Sequence, residues 1–221
     1  MASTFERCWY ESVCSSVSHN CRTGCIRYLE MLHLLEASNI PINRWFPVTL
    51  SPDECDYVAF CDLADIKDEM INFVHRGSNL YLYSTKTGNG KTTWAIKLML
   101  KYFNDVWPGN GFKCRGIFIH VPTFLTRMKN FNALDEEFER IKAELPNVDL
   151  VVWDDIASTE LSSYDHSQLL TYIDQRILAG KSNIFTGNLG SPEIVKALGT
   201  RLASRVWNSS TRIELKGRDK R

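Results

Sequence analysis

The sequence predicts an α/β fold, in which a parallel β-sheet is covered by helices on both faces. From about residue 59 onward, short apolar segments alternate with longer segments whose apolar residues recur at helical spacing. Parallel strands need crossover connections of helix length, so this alternation is typical of a parallel sheet rather than of hairpins. The segments predicted to form strands are 79–84, 116–121, 149–153, 183–187 and 212–215.

Helical spacing predicts helices between these strands. An apolar helical pattern, CIRYLEMLHLLEAS, lies near the start of the chain, and the helix predicted for 62–77 ends at Gly77, a typical C-terminal stop. Further helices are predicted for 91–103 and for the long pattern 124–145. The helix predicted for 162–180 begins at serines that can cap it.

Length and composition restrict the class of protein. The chain has 221 residues, of which 44% are hydrophobic and 24% charged, and its formal net charge is zero. A neutral chain has no global field that attracts nucleic acid or membranes, so any nucleic-acid contact requires a local patch. The first residues lack a signal-peptide core, and no apolar run is long enough to span a bilayer. We therefore expect a cytoplasmic protein without membrane contacts.

Composition divides the chain into three zones. Residues 1–36 are rich in cysteine, and residues 59–221 carry the regular alternation of helix and strand. The segment between them, 37–58, contains three prolines and has no clear period, which indicates an extended linker. The expected domains are a small Cys-rich module, a linker and an α/β domain.

Four of the seven cysteines lie within the first 25 residues, namely Cys8, Cys14, Cys21 and Cys25. In a cytoplasmic chain such a group indicates metal ligands before disulfides. Tetrahedral Zn²⁺ takes four thiolate or imidazole ligands, and it would supply folding energy to a segment with little core. The spacing lacks a C-x2-C knuckle, and His19 or His33 could replace one cysteine. Buried cysteines in a helical hairpin are the alternative.

The stretch STKTGNGKTT (84–93) lies between a predicted strand and a predicted helix, the setting of a phosphate-binding loop. Gly88 and Gly90 permit the backbone conformations by which N–H groups converge on phosphate oxygens. Lys91 is predicted to reach the β- and γ-phosphates and Thr92 to bind Mg²⁺. An ordinary turn before an amphipathic helix is the alternative. The residues predicted to contact the nucleotide are Thr87, Gly88, Asn89, Gly90, Lys91, Thr92 and Thr93.

Polar side chains follow two of the predicted strands. Asp154 and Asp155 come after VVW, and in a P-loop fold the first acid holds Mg²⁺ while the second orients the attacking water. The strand 183–187 ends in Thr186 and Gly187, and the amide of Asn188 could bind the γ-phosphate or the lytic water. The alternatives are an Asp-rich turn and a simple turn asparagine.

Two groups of basic residues could contact phosphates. Arg201 and Arg205 are four residues apart on one face of a short predicted helix, and arginine stabilises the charge of a transferring phosphoryl group. The segment FLTRMKNF brings Arg127 and Lys129 close to Phe131, a combination that can bind single-stranded DNA. In both cases a solvated basic helix face is the alternative.

Together these segments resemble the AAA+ ATPases of the DnaC/DnaI helicase-loader group. The resemblance is carried by TGNGKTTWAIKLM, VDLVVWDDI, SNIFTGNL and RLASRVW followed by IELKGRDKR, and it extends from near residue 59 to the end. It implies a P-loop fold with a five-stranded parallel sheet in the order 5-1-4-3-2. The functional residues that it implies are Lys91 and Thr92 (Walker A), Asp154 and Asp155 (Walker B), Asn188 (sensor 1), and Arg205 as arginine finger with Arg201 as the competing candidate.

The sequence departs from this group in three places. Thr85 stands where the loop pattern has its first glycine, and a threonine is tolerated there if its φ is negative. Asp155 replaces the usual glutamate, and the shorter side chain implies slow ATP turnover. The chain ends soon after the fifth strand, without the helical lid of larger relatives, which leaves Arg218 as the candidate for a sensor 2 arginine.

The resemblance implies an ATP-dependent helicase loader, most similar to the compact versions that phages encode and acting in the host cytoplasm. Such a protein binds a DnaB-type hexameric helicase through its zinc module, self-associates through its ATP sites and delivers the helicase to single-stranded DNA. The alternatives are an IstB-like transposition helper, a small-molecule kinase and a non-hydrolysing ATP-binding adaptor. The Cys-rich front disfavours the transposition helper, and the lack of an arginine-rich acceptor lid disfavours the kinase.

Overall fold

The computed structural model describes residues 8, 10–11, 14, 21, 24–46, 48–130, 135–158 and 160–219. Its centre is a five-stranded parallel sheet in the order β2-β3-β4-β1-β5. This is the predicted order read from the opposite edge, so the α/β class and the strand placement are confirmed. The strands are β1 (Asn79–Tyr83), β2 (Gly116–His120), β3 (Leu150–Asp154), β4 (Ser182–Gly187) and β5 (Thr211–Glu214).

Helices cover both faces of this sheet, and none in the described part of the chain is long and apolar enough to cross a membrane. Short 3-10 helices occur at Ile42–Arg44 and Glu54–Asp56, and a π-helical turn at Ser204–Asn208. The α-helices are α1 (Ile26–Ala37), α2 (Tyr57–Asp68), α3 (Met70–His75), α4 (Lys91–Val106), α5 (Val121–Met128), α6 (Glu136–Glu144), α7 (Ser163–Leu178) and α8 (Glu193–Ala203).

Alternation along the strands divides the core into two layers. In β1, Leu80 and Leu82 pack with α1 to α4 on one face, whereas Tyr81 packs with α5 to α8 on the other. Successive side chains of a strand point to opposite faces, and in a parallel sheet both faces must be buried. This explains why the central strands read as almost continuous apolar runs, and it gives the three-layer arrangement predicted from the sequence.

Two helical patterns that read as continuous in the sequence are broken in the structure. The pattern 62–77 forms α2 and α3, because Glu69 leaves the helical region (φ −101°, ψ 24°), and the buried residues of both pieces belong to one core. The pattern 124–145 forms α5 and α6. Asp135 begins α6 by accepting a hydrogen bond from the backbone N–H of Phe138 (3.1 Å), an N-cap that periodicity alone does not reveal.

The segment before the α/β domain is in contact with the sheet. α1 contributes Met31, Leu34 and Leu35 to the core layer that also contains Leu80 and Leu82 of β1. The backbone N–H of Phe118 in edge strand β2 donates to the carbonyl of Ser38 (2.7 Å). The segment predicted as an extended linker contains both 3-10 helices. The division at residues 36 and 58 stays a prediction.

A buried arginine ties together the ends of β3 and β4 opposite the phosphate loop. Arg176 of α7 is fully buried, and burial lowers its pKa to about 9. Its guanidinium donates to Asn183 Oδ1 (2.8 Å) and to the carbonyls of Leu145 (2.6 Å), Val148 (2.9 Å) and Ser182 (2.7 Å). One side chain thus satisfies acceptors in two chain segments, the connection before β3 and the start of β4.

We expect Arg176→Ala to lower the free energy of unfolding by about 3–5 kcal/mol, because it leaves several buried acceptors without donors. Denaturant unfolding measures this loss. The exposed Lys196→Ala variant on α8 is the control and should stay within about 0.5 kcal/mol of the parent. A similar loss in both variants, or in neither, would show that the Arg176 network does not carry this stability.

Candidate nucleotide-binding site

The phosphate loop leaves β1 at Ser84 and ends at Gly90, directly before α4. Gly88 (φ 72°) and Gly90 (φ 100°) both adopt left-handed backbone conformations, which glycine reaches without steric cost. Thr85 is not among the residues with positive φ, as the sequence argument required. The loop therefore keeps its two conformationally demanding glycines and replaces only the one at the strand exit.

Oxygen atoms of the phosphate loop hold the Lys91 ammonium group in place. Its Nζ donates to the carbonyl of Lys86 (3.0 Å) and lies 3.3 Å from Asn89 Oδ1. The side chain is buried because α4 begins at this residue and packs against the sheet. A cation at the N-terminus of a helix, beside a ring of backbone amides, suits an anionic phosphate ligand.

Asp154 lies at the carboxyl end of β3 and joins the loop to β4. Its Oδ1 accepts hydrogen bonds from the hydroxyls of Thr92 (2.7 Å) and Thr186 (2.7 Å). Burial raises the pKa of this carboxyl, and the two hydroxyl hydrogen bonds oppose that effect. Since β1, β3 and β4 are parallel neighbours, their carboxyl ends meet at one edge and bring these oxygens together. Carboxylate and hydroxyl oxygens are ligands that Mg²⁺ prefers.

Thr186 was not predicted to have a role beyond ending its strand. The structure shows that its hydroxyl donates to Asp154 and accepts from the backbone N–H of Asp155 (3.0 Å). One fully buried side chain thus orients both acidic residues. A threonine at the end of a strand beside the acidic strand was the only signal for this in the sequence.

His120 is a further site residue that sequence reasoning missed. It ends β2, and its Nε2 lies 3.7 Å from Asp155 Oδ2, while its Nδ1 contacts the Thr123 hydroxyl (2.7 Å). Ligand atoms of His120, Asp154 and Asp155 all lie within 4.8 Å of one another, the only such group of three or more found among the described residues. A polar residue at the carboxyl end of a strand was the available signal, because β2 pairs with β3.

Asp155 and Asn188 face a common cleft with the loop. The cleft has a volume of about 300 Å³ and is lined by Thr87–Thr93, Asp155, Asn188 and three residues of the preceding segment, Arg44, Val48 and Leu50. A neighbouring cavity of about 220 Å³ shares Arg44, Val48 and Thr93. Its other lining residues are the apolar Phe46, Ile96 and Leu100 and the polar Asn43 and Lys97. The polar cleft suits a phosphate chain, and its apolar extension suits a nucleobase. No sequence pattern indicated that Arg44, Val48 and Leu50 would line the cleft.

The two candidate arginines lie outside this cleft. Arg201 is exposed in the last turn of α8, whereas Arg205 lies in the following π-helical turn, where its Nε pairs with Asp174 of α7. They were predicted to share one face of a short helix. The kink at Gly199 (φ 67°) precedes both arginines, and the bonding becomes π-helical from Ser204 onward. Neither arginine is among the residues that line the cleft of its own chain.

The other basic candidates are paired with acidic residues. Arg127 pairs with Asp135 (2.6 Å) and Lys129 with Asp165 (2.8 Å), and Phe131 lies outside the described residues. Arg218 has a largely exposed side chain 3.5 Å from Asp53. These pairs favour the solvated-face alternative for Arg127 and Lys129, because a nucleic-acid phosphate would have to replace an existing partner.

The four cysteines of the first zone line one cavity of about 280 Å³, together with residues such as Trp107. Among the residues that the structure describes, they do not form a group with ligand atoms within 4.8 Å of one another. The residue types suit Zn²⁺, but the sulfur atoms are not gathered around one point. His33 packs against Phe112 and does not line this cavity, and His19 lies outside the described residues.

Comparison with known proteins rests on structure alone, since no family model and no curated protein matches the chain. A DnaC helicase loader superposes with a TM-score of 0.61 at 19% identity, covering 80% of this chain and 100% of the other. DnaI gives 0.61 at 16% identity, covering 83% and 95%. The replication initiator DnaA bound to AMPPCP and single-stranded DNA gives 0.57 at 16%, covering 77% of this chain.

The chain shares the α/β fold of these helicase loaders and of DnaA. It spans about half of the DnaA chain, since 48% of that chain is covered. Identities of 16–19% establish the fold alone. The predicted fold class and the resemblance to this structural group are therefore confirmed.

We expect Thr186→Val to raise the dissociation constant of ATP in the presence of Mg²⁺ about tenfold, because Asp154 loses a charge-assisted hydrogen bond and its orientation. Without Mg²⁺ the constant should change little. Equilibrium titration of a fluorescent ATP analogue measures both values. Thr171→Val, on the exposed side of α7, is the matched control. Equal weakening with and without Mg²⁺ would contradict this role of Thr186.

Proposed function

We propose that the protein is an ATP-dependent helicase loader, in which ATP switches an assembly that holds a replicative DnaB-type helicase and delivers it to single-stranded DNA. The observation that supports the ATP site is the contact of Thr92 and Thr186 with Asp154 at the mouth of the phosphate loop. The fold shared with DnaC and DnaI supports the choice of loader over other P-loop proteins.

In the proposed site each polar residue has a distinct task. Lys91 and the amides of Thr87–Thr93 bind the phosphates. Thr92 and Asp154 would hold Mg²⁺, which would supply positive charge to neutralise the phosphates. Asp155 orients the attacking water, and Asn188, which also lines the cleft, binds the γ-phosphate. The adenine lies in the apolar extension beside Val48 and Phe46.

Asp155 is also the observation that favours slow turnover. Its carboxylate is one methylene shorter than glutamate, its backbone is left-handed (φ 58°), and His120 lies beside it. A protein that uses ATP to hold an assembly needs binding more than speed. ATP binding without measurable hydrolysis, alone or with the helicase, would identify the non-hydrolysing adaptor instead.

Lys91→Ala is expected to weaken ATP binding at least about a hundredfold, because the cation that neutralises the phosphates is lost. Calorimetric titration measures the affinity, and Lys113→Ala, an exposed lysine outside the cleft, is the control. Thermal unfolding without nucleotide confirms that both variants are folded. Unchanged ATP affinity in the folded Lys91 variant would contradict the assignment of the phosphate loop as an ATP site.

We propose that protomers self-associate through their ATP sites, and the position of Arg205 outside the cleft of its own chain supports this. In the proposed assembly it reaches the γ-phosphate of a neighbouring protomer, which requires it to leave Asp174 of its own chain. Arg201, exposed and close in sequence, is the competing candidate.

We expect Arg205→Ala to lower ATP turnover about a hundredfold or more while leaving ATP affinity within about twofold, since a residue acting in trans contributes to the transition state. Arg201→Ala is the paired comparison, measured in the same turnover assay at concentrations that allow assembly. The reverse result would assign the finger to Arg201. Parental turnover in both variants would contradict assembly through the ATP sites.

We propose that the Cys-rich zone, residues 1–36, is the helicase-docking module. The linker would then be residues 37–58 and the α/β domain residues 59–221. Four cysteines around one cavity support a zinc-binding module, which metal analysis of protein purified without chelator tests. About one equivalent of Zn²⁺ per chain is expected, and well under half an equivalent contradicts the zinc-binding module.

The loader function is tested by mixing the protein with a DnaB-type helicase from its host, with and without ATP. No complex under any nucleotide condition contradicts the proposal.

A further inference from the structure

Two aspartates of the segment before α2 bind the C-terminal end of the described chain. Asp53 and Asp56 each occupy the N-cap position of a helix, where an aspartate usually accepts a helix N–H. Neither makes a capping hydrogen bond. Their carboxylates turn instead to the segment that follows β5, Leu215–Asp219, called here the C-terminal strap.

Three consecutive backbone amides of the strap donate to these carboxylates. Asp56 Oδ1 accepts from the N–H of Lys216 (2.6 Å), and Asp56 Oδ2 accepts from Gly217 (3.0 Å). Asp53 Oδ2 accepts from Arg218 (2.9 Å). Hydrogen bonds to an ionised acceptor are stronger than neutral ones, so the strap is fixed at three points.

The attachment is close and buried. Asp56 is fully buried, and a buried carboxylate is tolerated only where donors replace its lost hydration. A Cβ atom at Gly217 would collide with carboxylate oxygens of both Asp53 and Asp56. The approach therefore depends on glycine at 217.

The strap also forms hydrogen bonds with side chains of the phosphate loop. The carbonyl of Leu215 accepts from Asn89 Nδ2 (2.9 Å), and the carbonyl of Lys216 accepts from Lys86 Nζ (3.0 Å). The Asp219 carboxylate occupies the place of a Cβ atom at Gly88. Asp219 is not among the residues that line the nucleotide cleft.

Asn89 carries this connection to the phosphate-binding lysine. Its side chain is fully buried, with Nδ2 on the Leu215 carbonyl and Oδ1 3.3 Å from Lys91 Nζ. A continuous set of hydrogen bonds and adjoining residues thus runs from Asp56, through the strap and Asn89, to Lys91.

We propose that Asp56, assisted by Asp53, is a positioning residue for the nucleotide site and acts through the C-terminal strap. The loop contains two glycines with left-handed backbones and would otherwise lose conformational freedom when it binds phosphate. A loop that is ordered in advance binds its ligand more tightly, because less entropy is lost on binding. The effect on nucleotide affinity rests on the proposed ATP site, whereas the ordering of the loop does not.

The test uses two variants of the full chain. Asp56→Asn keeps one acceptor oxygen for two amides, and Gly217→Ala places a methyl group where the carboxylates lie. Amide hydrogen exchange of the nucleotide-free protein is measured by mass spectrometry. Both variants should accelerate exchange about tenfold in the loop and strap, with β3 and β4 unchanged. Asp62→Asn, exposed on α2, is the matched control and should exchange like the parent.

ATP affinity supplies a second readout. Each strap variant should raise the dissociation constant about five- to tenfold. In a double-mutant cycle, Asp56→Asn should add less than its own effect in an Asn89→Ala background, because both act along one connection. Full additivity, or acceleration spread over all elements, would show a role in general stability and overturn the proposal.

Unchanged loop exchange in both variants would also overturn it. Because exchange is measured without nucleotide, this outcome is distinct from failure of the ATP site. A parent chain that binds no ATP, with loop exchange still accelerated in the strap variants, would contradict the proposed function and support the positioning role of Asp56.

Discussion

Asp154 Oδ1 accepts hydrogen bonds from two threonines that belong to different elements, Thr92 at the start of α4 and Thr186 at the end of β4. The rest of the candidate site depends on this junction. It requires β1, β3 and β4 to be parallel neighbours, since only then do the loop and both strand ends lie at one edge. It also fixes Asp155, whose N–H donates to Thr186 and whose side chain faces the cleft. The hydrogen bonds of this one buried oxygen thus connect the strand order of the sheet with the proposed ATP site.

Much of this arrangement could be predicted from the sequence because it is locally encoded. The phosphate loop is recognised by glycines between a strand and a helix, and Asp154 by its position after four apolar residues. The strand order follows from the resemblance to a known group and not from periodicity, because hydrophobic spacing carries no information about which strands pair. The breaks at Glu69 and Asp135 were missed, since a helical pattern continues across them.

The site residues that the sequence did not predict all reach the site through contacts between segments that are far apart in the chain. His120 becomes relevant only because β2 pairs with β3, and Arg44, Val48 and Leu50 only because their segment folds over the loop. Asp53 and Asp56 stand at the N-cap positions of two helices and bind the strap instead. No local pattern distinguishes these uses of an aspartate.

The proposed function requires the loop, Asp154 and the segment around Val48 to form one Mg²⁺-dependent ATP site. Equilibrium titration of the parent chain with ATP, in Mg²⁺ and again in excess chelator, tests it most directly. We expect saturation at one ATP per chain, with binding at least about tenfold tighter in Mg²⁺, because Thr92 and Asp154 would hold the cation beside the phosphates. Absence of saturable binding in Mg²⁺, or equal affinity in its absence, would contradict it.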